Sequence, residues 1–243
     1  MSTPEAPVVL ERIYPNEMNM NDHHDRDSLE IHQARYRFAA DHLVGNRILD
    51  MACGCGFGTA LMAARHPERV FVGVDIDPAA IDYAQRHYQA VNLSYRCADA
   101  MTFAEGCYDT IVSLETIEHL SNPRAFIANL PNLLTTGGCI IASVPVTPTC
   151  DGNPHHLHDF TRRGFLRLFK AVGFTAGEEL RQVQPWVYDD AFSAAEDSTS
   201  RSQGVGNNLL AYYRKHPLAL VARIYAIVRH GTCNIYLTAV FKA

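Results

Sequence analysis

The feature that most constrains the fold is a glycine-rich loop between a short apolar segment and a helix-like segment. Residues 47–65 read RILDMACGCGFGTALMAAR, in which an apolar run ends in Asp50 and three glycines then follow at alternate positions. Glycine has no side chain, so the backbone of such a turn can approach a ligand closely. A second apolar run ends in Asp75, where an acid can accept hydrogen bonds from both hydroxyls of a ribose. The pattern predicts a nucleotide-like ligand at the edge of a parallel sheet.

Short apolar runs alternate with helical segments along the rest of the chain, which is typical of a parallel sheet with helices on both faces. We therefore predict an α/β fold, a Rossmann-like, doubly wound, mostly parallel sheet of seven strands. The first six strands are predicted at 47–50, 70–75, 93–97, 108–114, 138–144 and 176–182, and the last, 233–243, at a sheet edge. Helices are predicted over 59–65, 78–91, 122–134 and 161–172.

The organisation along the chain indicates one domain over residues 28–243. Residues 1–27 are polar and contain prolines, and we expect them to form a mobile arm. A helix is predicted over 28–45, capped by Asp27 or Ser28. Residues 183–231 combine a turn-rich acidic segment with an amphipathic helical stretch, and we predict an insertion that covers the substrate. Its helical part is a candidate for a lid or for the contact of a homodimer.

Composition and charge exclude several classes of partner. The 243 residues are 47% hydrophobic and carry a formal charge of −5, which gives no electrostatic basis for binding nucleic acid. No run reaches the roughly 20 apolar residues of a membrane span, and the first residues do not resemble a secretion signal. We therefore predict a cytoplasmic protein without a membrane span.

Five motifs in chain order identify a family. They read ILDMACGCGFG, VGVDIDPAAIDYA, CADAMTF, YDTIVSLETIEHL and LLTTGGCIIASVP and cover about residues 47–145, with weaker similarity through HDFTRRGFLRLFKAVGF. In this order they resemble the motifs of class I S-adenosylmethionine-dependent methyltransferases, which implies S-adenosylmethionine as the cofactor. Ala52 stands where many members carry the first glycine. Because alanine is small, we expect cofactor binding to be retained.

The resemblance also implies which residues contact the cofactor. The positions that match the family lie at the ends of the predicted strands: Asp50 and Gly54 toward the methionine moiety, Ala52 and Gly56 in the loop, Asp75 at the ribose, Ile76, Asp99 and Ala100 at the adenine, and Leu114 near the sulfonium. The segment HQARYRFAA resembles a subgroup in which a helix covers the cofactor. Tyr36, with His32 and Arg35, is therefore expected to cover it.

Two segments are candidates for activating the methyl acceptor, because an alcohol must lose its proton to a base or at a metal ion. The segment LETIEHL follows the fourth strand and contains Glu118 and His119, which either act in catalysis or shape the loop. The segment NPHHLHDF follows the fifth strand and resembles a motif of O-methyltransferases that act on sugars and glycans. In those enzymes the histidine that matches His156 faces the acceptor. We predict O-methylation of a small molecule, with a sugar or polysaccharide precursor as the narrower hypothesis and His156 as the base.

Three alternative functions and a metal hypothesis stay open. One alternative is a non-catalytic nucleotide-binding module, which would bind the cofactor but produce no demethylated cofactor with any acceptor. The same fold supports N- or C-methylation of a small metabolite, for which loss of a base would matter less. An NAD-dependent oxidoreductase would share the sheet and Asp75, but the spacing GCGFG is not GxGxxG, and Asp99 would have no role. The segments NDHHD (21–25) and HHLHD (155–159) together could supply the ligands of a divalent metal such as magnesium, although neither has a specific ligand spacing.

Overall fold

A computed structural model describes residues 12–146, 156–185, 214, 217–230 and 233–243. Its seven strands are β1 (Arg47–Met51), β2 (Val70–Asp75), β3 (Leu93–Cys97), β4 (Tyr108–Leu114), β5 (Leu134–Pro145), β6 (Thr175–Pro185) and β7 (Cys233–Lys242). They form one sheet in the order β3-β2-β1-β4-β5-β7-β6. The first five strands pair in parallel, and β7 runs antiparallel to both β5 and β6. The predicted fold class, a Rossmann-like and mostly parallel seven-stranded sheet, is confirmed.

The described helices are α1 (His23–Asp41), α2 (Phe57–Arg65), α3 (Pro78–His87), α4 (Pro123–Asn129), α5 (Arg162–Lys170) and α6 (Pro217–His230). Two short 3-10 helices, Ile117–His119 and Leu130–Leu133, flank α4. The residue before a helix caps its first turn in two cases. The Asp77 carboxylate accepts the Ala79 N–H and caps α3, and the Asn122 side chain caps α4. Among the described residues, no helix is long and apolar enough to span a membrane.

The core forms on both faces of the sheet because strand side chains alternate. Ile48 packs with α1 and α2 on one face, while its neighbour Leu49 packs with α4 and α5 on the other. Both side chains are fully buried. Because β1 and β2 are parallel, their carboxyl ends, with Asp50 and Asp75, lie at the same edge of the sheet.

The position of the last strand differs from the prediction. The segment 233–243 was expected at a sheet edge, but β7 lies between β5 and β6, and β6 takes the edge. The reason is visible in the burial: Leu237 through Phe241 are buried on both faces, whereas residues of β6 are exposed or half-buried. A strand covered on both faces needs a hydrogen-bonded partner on each side.

Several boundaries also differ. Helix α1 begins at His23, five residues before the predicted start at 28, so part of the predicted arm 1–27 is helical. Strand β6 extends to Pro185 and therefore includes the first residues of the predicted insertion 183–231. Residues 186–213 and 1–11 lie outside the described residues. Helix α6 exposes large apolar side chains at helical spacing, among them Leu218, Val221, Tyr225 and Val228.

Candidate active site

The loop after β1 has a left-handed backbone at three positions. Ala52 has φ 63°, Gly54 has φ 57° and Gly56 has φ 84°. A side chain in this region costs roughly 1–2 kcal/mol, so Ala52 stores strain that a glycine would avoid. The Cys53 N–H donates to the Val74 carbonyl at 2.9 Å and fixes the loop against β2.

The two glycines of this loop are required for different reasons. A Cβ atom at Gly56 would lie 2.6 Å from the Cβ of Ala84 and 2.7 Å from the Tyr95 ring, so only glycine fits the packing there. A Cβ at Gly54 would meet no atom within 4 Å. The backbone at Gly54 therefore faces open space, which is where a ligand can approach it.

Asp50 is buried at the carboxyl end of β1. The Thr59 hydroxyl donates to its Oδ2 at 2.6 Å, and the Tyr36 hydroxyl also hydrogen-bonds to this carboxyl group. Burial is the main cause that raises the pKa of Asp50 to about 7, and these two hydrogen bonds limit the rise. The carboxyl group is thus poised to ionise near neutral pH when a cation binds beside it.

Tyr36 connects α1 to the glycine loop. Its ring lies so close to Gly58 that a Cβ there would overlap it, and it packs edge-on against Phe57 with ring centroids 5.5 Å apart. Burial, with the Asp50 carboxylate nearby, raises the pKa of Tyr36 well above its ordinary value, so the hydroxyl stays a donor. His32 of the same helix has a pKa well below its ordinary value because of burial and the neighbouring Arg35.

Asp75 accepts three hydrogen bonds at the end of β2. Its Oδ2 accepts the Gly54 N–H at 2.9 Å, and its Oδ1 accepts the Asp77 N–H at 3.0 Å and the Arg12 guanidinium at 2.8 Å. Arg12 also pairs with Asp77 at 3.1 Å, and its side chain is 10% exposed. The N-terminal segment therefore lies directly over the acid that was predicted to bind a ribose.

Two further contacts hold this segment. The Cys55 thiol donates to the Ile13 carbonyl at 2.8 Å, and the rings of Tyr14 and Tyr83 pack edge-on at 4.9 Å. The sequence analysis did not find Arg12 as a site residue. Nothing in the sequence relates position 12 to position 75, because the contact depends on the path of the chain before α1.

The residues predicted for the adenine lie after β2 and β3. Ile76 is 54% exposed, unusually high for a large apolar side chain next to a buried strand. Asp99 accepts the Met101 N–H through Oδ1 at 2.8 Å and starts a turn, while Ala100 is buried. Leu114 is buried at the carboxyl end of β4. The structure thus places all ten predicted cofactor positions in α1 or at the carboxyl edges of β1 to β4.

Glu115, directly after β4, is the second non-glycine residue with a left-handed backbone, at φ 51°. Its N–H donates to the Ser143 hydroxyl oxygen at 3.0 Å, and that hydroxyl donates to its Oε1 at 2.6 Å. Arg35 lies 3.8 Å from its other carboxylate oxygen, donates to Gln182 at 2.9 Å and stacks over Tyr236 at 4.2 Å. Buried Arg35 therefore joins α1 to the antiparallel end of the sheet, a contact that the sequence analysis did not predict.

The three predicted catalytic residues form one cluster. Glu118 and His119 belong to the 3-10 helix after β4, and His156 belongs to the segment after β5. One possible ligand atom from each lies within 4.8 Å of the others. His119 Nε2 lies 4.0 Å from Glu118 Oε1, and the two imidazoles pack edge-on with centroids 4.7 Å apart.

Backbone contacts fix the two segments of this cluster against each other. The Glu118 carbonyl accepts the N–H groups of Leu157 at 2.8 Å and His158 at 3.2 Å, and the His158 ring hydrogen-bonds to the Leu120 carbonyl at 2.9 Å. Among the described residues, none from NDHHD belongs to the cluster, and His156 is the one described residue of HHLHD that does. His155 lies outside the described residues.

Comparison with known proteins shows similarity to methyltransferases. Residues 49–142 match the family model described as a methyltransferase domain. A protein of Mycolicibacterium smegmatis named "Probable S-adenosylmethionine-dependent methyltransferase" is 25% identical over 155 residues, which cover 61% of this chain and 60% of the relative. The O-methyltransferase resE of Aspergillus sclerotiorum is 30% identical over 57% of this chain and 53% of its own length. A ubiquinone biosynthesis O-methyltransferase of Coxiella burnetii is 31% identical over 42% of this chain and 44% of its own.

Solved structures share the fold. A StiE O-MT fragment matches with a TM-score of 0.61 and 15% identity, covering 94% of this chain and 78% of that chain. The magnesium protoporphyrin IX methyltransferase of Synechocystis with bound SAH matches with a TM-score of 0.57 and 18% identity. The match covers 69% of this chain and 84% of that chain. The fold is thus that of solved methyltransferase structures, and residues 49–142 are similar to a methyltransferase domain. It spans about half the length of the curated relatives that it matches.

Proposed function

We propose that this protein is an S-adenosylmethionine-dependent O-methyltransferase that acts on a hydroxyl of a small molecule. One observation carries the proposal: the glycine loop with Asp50 and Asp75 lies on the same sheet edge as the cluster of Glu118, His119 and His156. Strand β4, which leads to the cluster, pairs directly with β1, which leads to the loop. A donor site and an acceptor-activating site are thus neighbours, as an in-line transfer requires.

The residues around the loop fit the cofactor. The backbone at Gly54 faces open space. Asp50, with its raised pKa, is placed to pair with an ammonium group, and Asp75 with the two hydroxyls of a ribose. Exposed Ile76 offers an apolar surface to a purine, with Asp99 and Ala100 at its edge. When bound, S-adenosylmethionine supplies a methyl group on a sulfonium. The acceptor oxygen bonds to the methyl carbon while the carbon–sulfur bond breaks, and the electron pair stays on sulfur.

The acceptor in this proposal is a hydroxyl compound, and a sugar or polysaccharide precursor is the narrower hypothesis. A hydroxyl needs activation, and buried Glu118 and His156 with half-buried His119 provide either a base, His156, or the ligands of a divalent cation. Relatives named O-methyltransferases support oxygen as the acceptor atom. The resemblance of NPHHLHDF to sugar-modifying enzymes supports the narrower hypothesis.

Methylation of nitrogen or carbon on a small metabolite is the alternative within the same class. An amine acceptor needs only to arrive neutral, so replacing His156 would then leave the methylation rate nearly unchanged. The exposed apolar side chains of α6 support the further proposal that this helix is a lid or a homodimer contact. The mass of the purified protein in a sedimentation experiment distinguishes these two roles, because a dimer contact predicts a homodimer and a lid does not.

The experiment that tests the proposal is calorimetric titration of the full chain with S-adenosylmethionine and its demethylated product, with and without magnesium. Asp75→Asn keeps an acceptor for the Gly54 N–H but removes the charge that a ribose would use. We expect its Kd to rise about 10- to 150-fold, the equivalent of one hydrogen bond to a charged group.

Asp77→Asn is the matched control. Asp77 also pairs with Arg12, and asparagine caps a helix as well as aspartate does, so the variant should bind like the unaltered protein. Absence of cofactor binding by the unaltered protein, or binding of NADH instead, would overturn the proposal. Binding followed by a screen of sugar and other hydroxyl acceptors then tests the narrower hypothesis.

A further inference from the structure

We propose that Glu118, His119 and His156 bind one divalent transition-metal ion at the acceptor side of the sheet edge. This inference deepens the proposed function, because it names what activates the acceptor hydroxyl. The binding of the ion is itself independent of that function. The residues come from two chain segments, 118–119 and 156, that meet only in the folded protein.

The spacing of the side chains suits a single ion. Metal bonds to imidazole nitrogen and carboxylate oxygen measure about 2.0–2.2 Å, so the ligand atoms of one ion lie about 3 to 3.5 Å apart. Here the three possible ligand atoms lie within 4.8 Å of one another, and the pair His119 Nε2 to Glu118 Oε1 measures 4.0 Å. Closing the set around one ion therefore requires the ligand atoms to approach one another by about 1 Å.

The backbone already holds the two segments at this distance. Glu118 and His119 lie in a 3-10 helix whose Glu118 carbonyl accepts two N–H groups from the segment that carries His156. A site whose ligands are fixed before binding loses little conformational entropy when the ion arrives. The geometry is therefore that of a prepared site, and not of mobile surface histidines.

Burial adds an electrostatic argument. The Glu118 side chain is 0% exposed, and His156 is 7% exposed. An ion held between the Glu118 carboxylate and the two imidazoles would be screened little by water, so its attraction to the carboxylate would be strong.

The donor set selects the kind of ion. Two imidazoles and one carboxylate suit zinc, cobalt, iron or manganese, whereas magnesium prefers oxygen ligands. The neighbouring Glu115 does not complete an oxygen-rich set, because its Oε1 is engaged by the Ser143 hydroxyl and its Oε2 faces Arg35. Three protein ligands leave coordination positions open for an acceptor oxygen.

The proposed function gives this ion a role. A hydroxyl bound to such an ion would have a lowered pKa and would release its proton to solvent, and the resulting alkoxide would attack the methyl group. His156 then acts as a ligand and not as the base. Loss of His156 lowers the rate of O-methylation whether it acts as a ligand or as a base, so an activity assay alone does not distinguish these two roles.

The test is direct binding of metal to the full chain after treatment with a chelator. Zn²⁺ and Mn²⁺ are titrated against a chromophoric competitor, bound metal is counted by elemental analysis, and Co²⁺ is followed by its visible absorption, which reports nitrogen and oxygen ligation. We expect one ion per chain. Glu118→Gln and His156→Ala should each weaken Zn²⁺ binding more than about 100-fold, beyond the roughly 10- to 100-fold that follows when a residue merely orients a ligand.

Two control variants separate this site from adventitious binding. His158→Asn changes a histidine of the same segment whose ring contacts the Leu120 carbonyl, and it should bind Zn²⁺ normally. Replacing both histidines of NDHHD should also leave the tight site intact. Circular dichroism confirms that each variant is folded. The inference is overturned if no stoichiometric ion binds, or if a control variant lowers affinity as much as Glu118→Gln does.

The same chelated protein is titrated with S-adenosylmethionine, which keeps the two proposals distinct. Cofactor binding without metal binding refutes the metal site, and His156 then stands as the candidate base. Metal binding without cofactor binding refutes the proposed function and leaves the metal site in place.

Discussion

Replacing Asp50 with asparagine should stabilise the protein without its cofactor while weakening cofactor binding. Asp50 is fully buried, and its pKa rises from an ordinary 3.8 to about 7 mainly through loss of solvation. At about 1.4 kcal/mol per pKa unit, ionising this carboxyl in the folded protein costs about 4 kcal/mol of folding free energy. Asparagine carries no charge and retains an oxygen that can accept from Thr59, so the variant avoids this cost.

The effect has a defined pH dependence. Because the pKa of Asp50 is higher in the folded protein, the penalty is absent well below pH 3.8, grows between pH 3.8 and about 7, and is complete above pH 7. Asp50→Asn should therefore exceed the unaltered protein in stability most at pH 8, by up to about 4 kcal/mol, and by about 2 kcal/mol near pH 5. Cofactor affinity should fall at every pH, because the partner of the ammonium group is lost.

Urea denaturation followed by circular dichroism at pH 5, 6.5 and 8 measures this difference, with cofactor titrations on the same samples. Asp109→Asn is the control, because this variant should lower the stability of the protein at pH 8 instead of raising it. Asp109 accepts N–H groups from Arg47 and Asn46 and a hydroxyl from Thr135, which lower its pKa, so its charge stabilises the protein above its unfolded pKa. A stability difference for Asp50→Asn that does not change with pH, or a loss of stability at pH 8, would refute the reasoning.

Two further changes test the contacts around the loop. Arg12→Ala should tighten S-adenosylmethionine binding about 2- to 10-fold, because Arg12 occupies the Asp75 oxygen that a ribose would use. This gain corresponds to a hydrogen bond of about 0.5 to 1.5 kcal/mol. Weaker binding in a calorimetric titration would show instead that Arg12 helps to hold the cofactor. Gly58→Ala should lower the free energy of unfolding by about 1–3 kcal/mol and weaken cofactor binding, because the new methyl group displaces the Tyr36 ring. Gly177→Ala, whose new Cβ would lie 3.8 Å from its nearest neighbour, should change neither quantity.

Much of the fold could be predicted because its signals are local. The apolar runs that end in Asp50 and Asp75 mark the strands, and the glycines mark a backbone that L side chains disfavour. These are properties of neighbouring residues in the chain. The last strand was predicted at the wrong place for the same reason: its composition indicates burial, but no local signal tells which two strands it separates.

The candidate site follows the same division. The sequence by itself determined the fold class, the glycine loop and the three residues Glu118, His119 and His156 as candidates for chemistry. Only the tertiary structure decided that these three meet within 4.8 Å, that Arg12 lies over Asp75 and that Arg35 reaches Gln182. The physical reason is that distance along the chain does not fix distance in space. Pairings between segments far apart depend on the packing of the whole sheet, and burial, which sets the pKa of Asp50, exists only once that packing is complete.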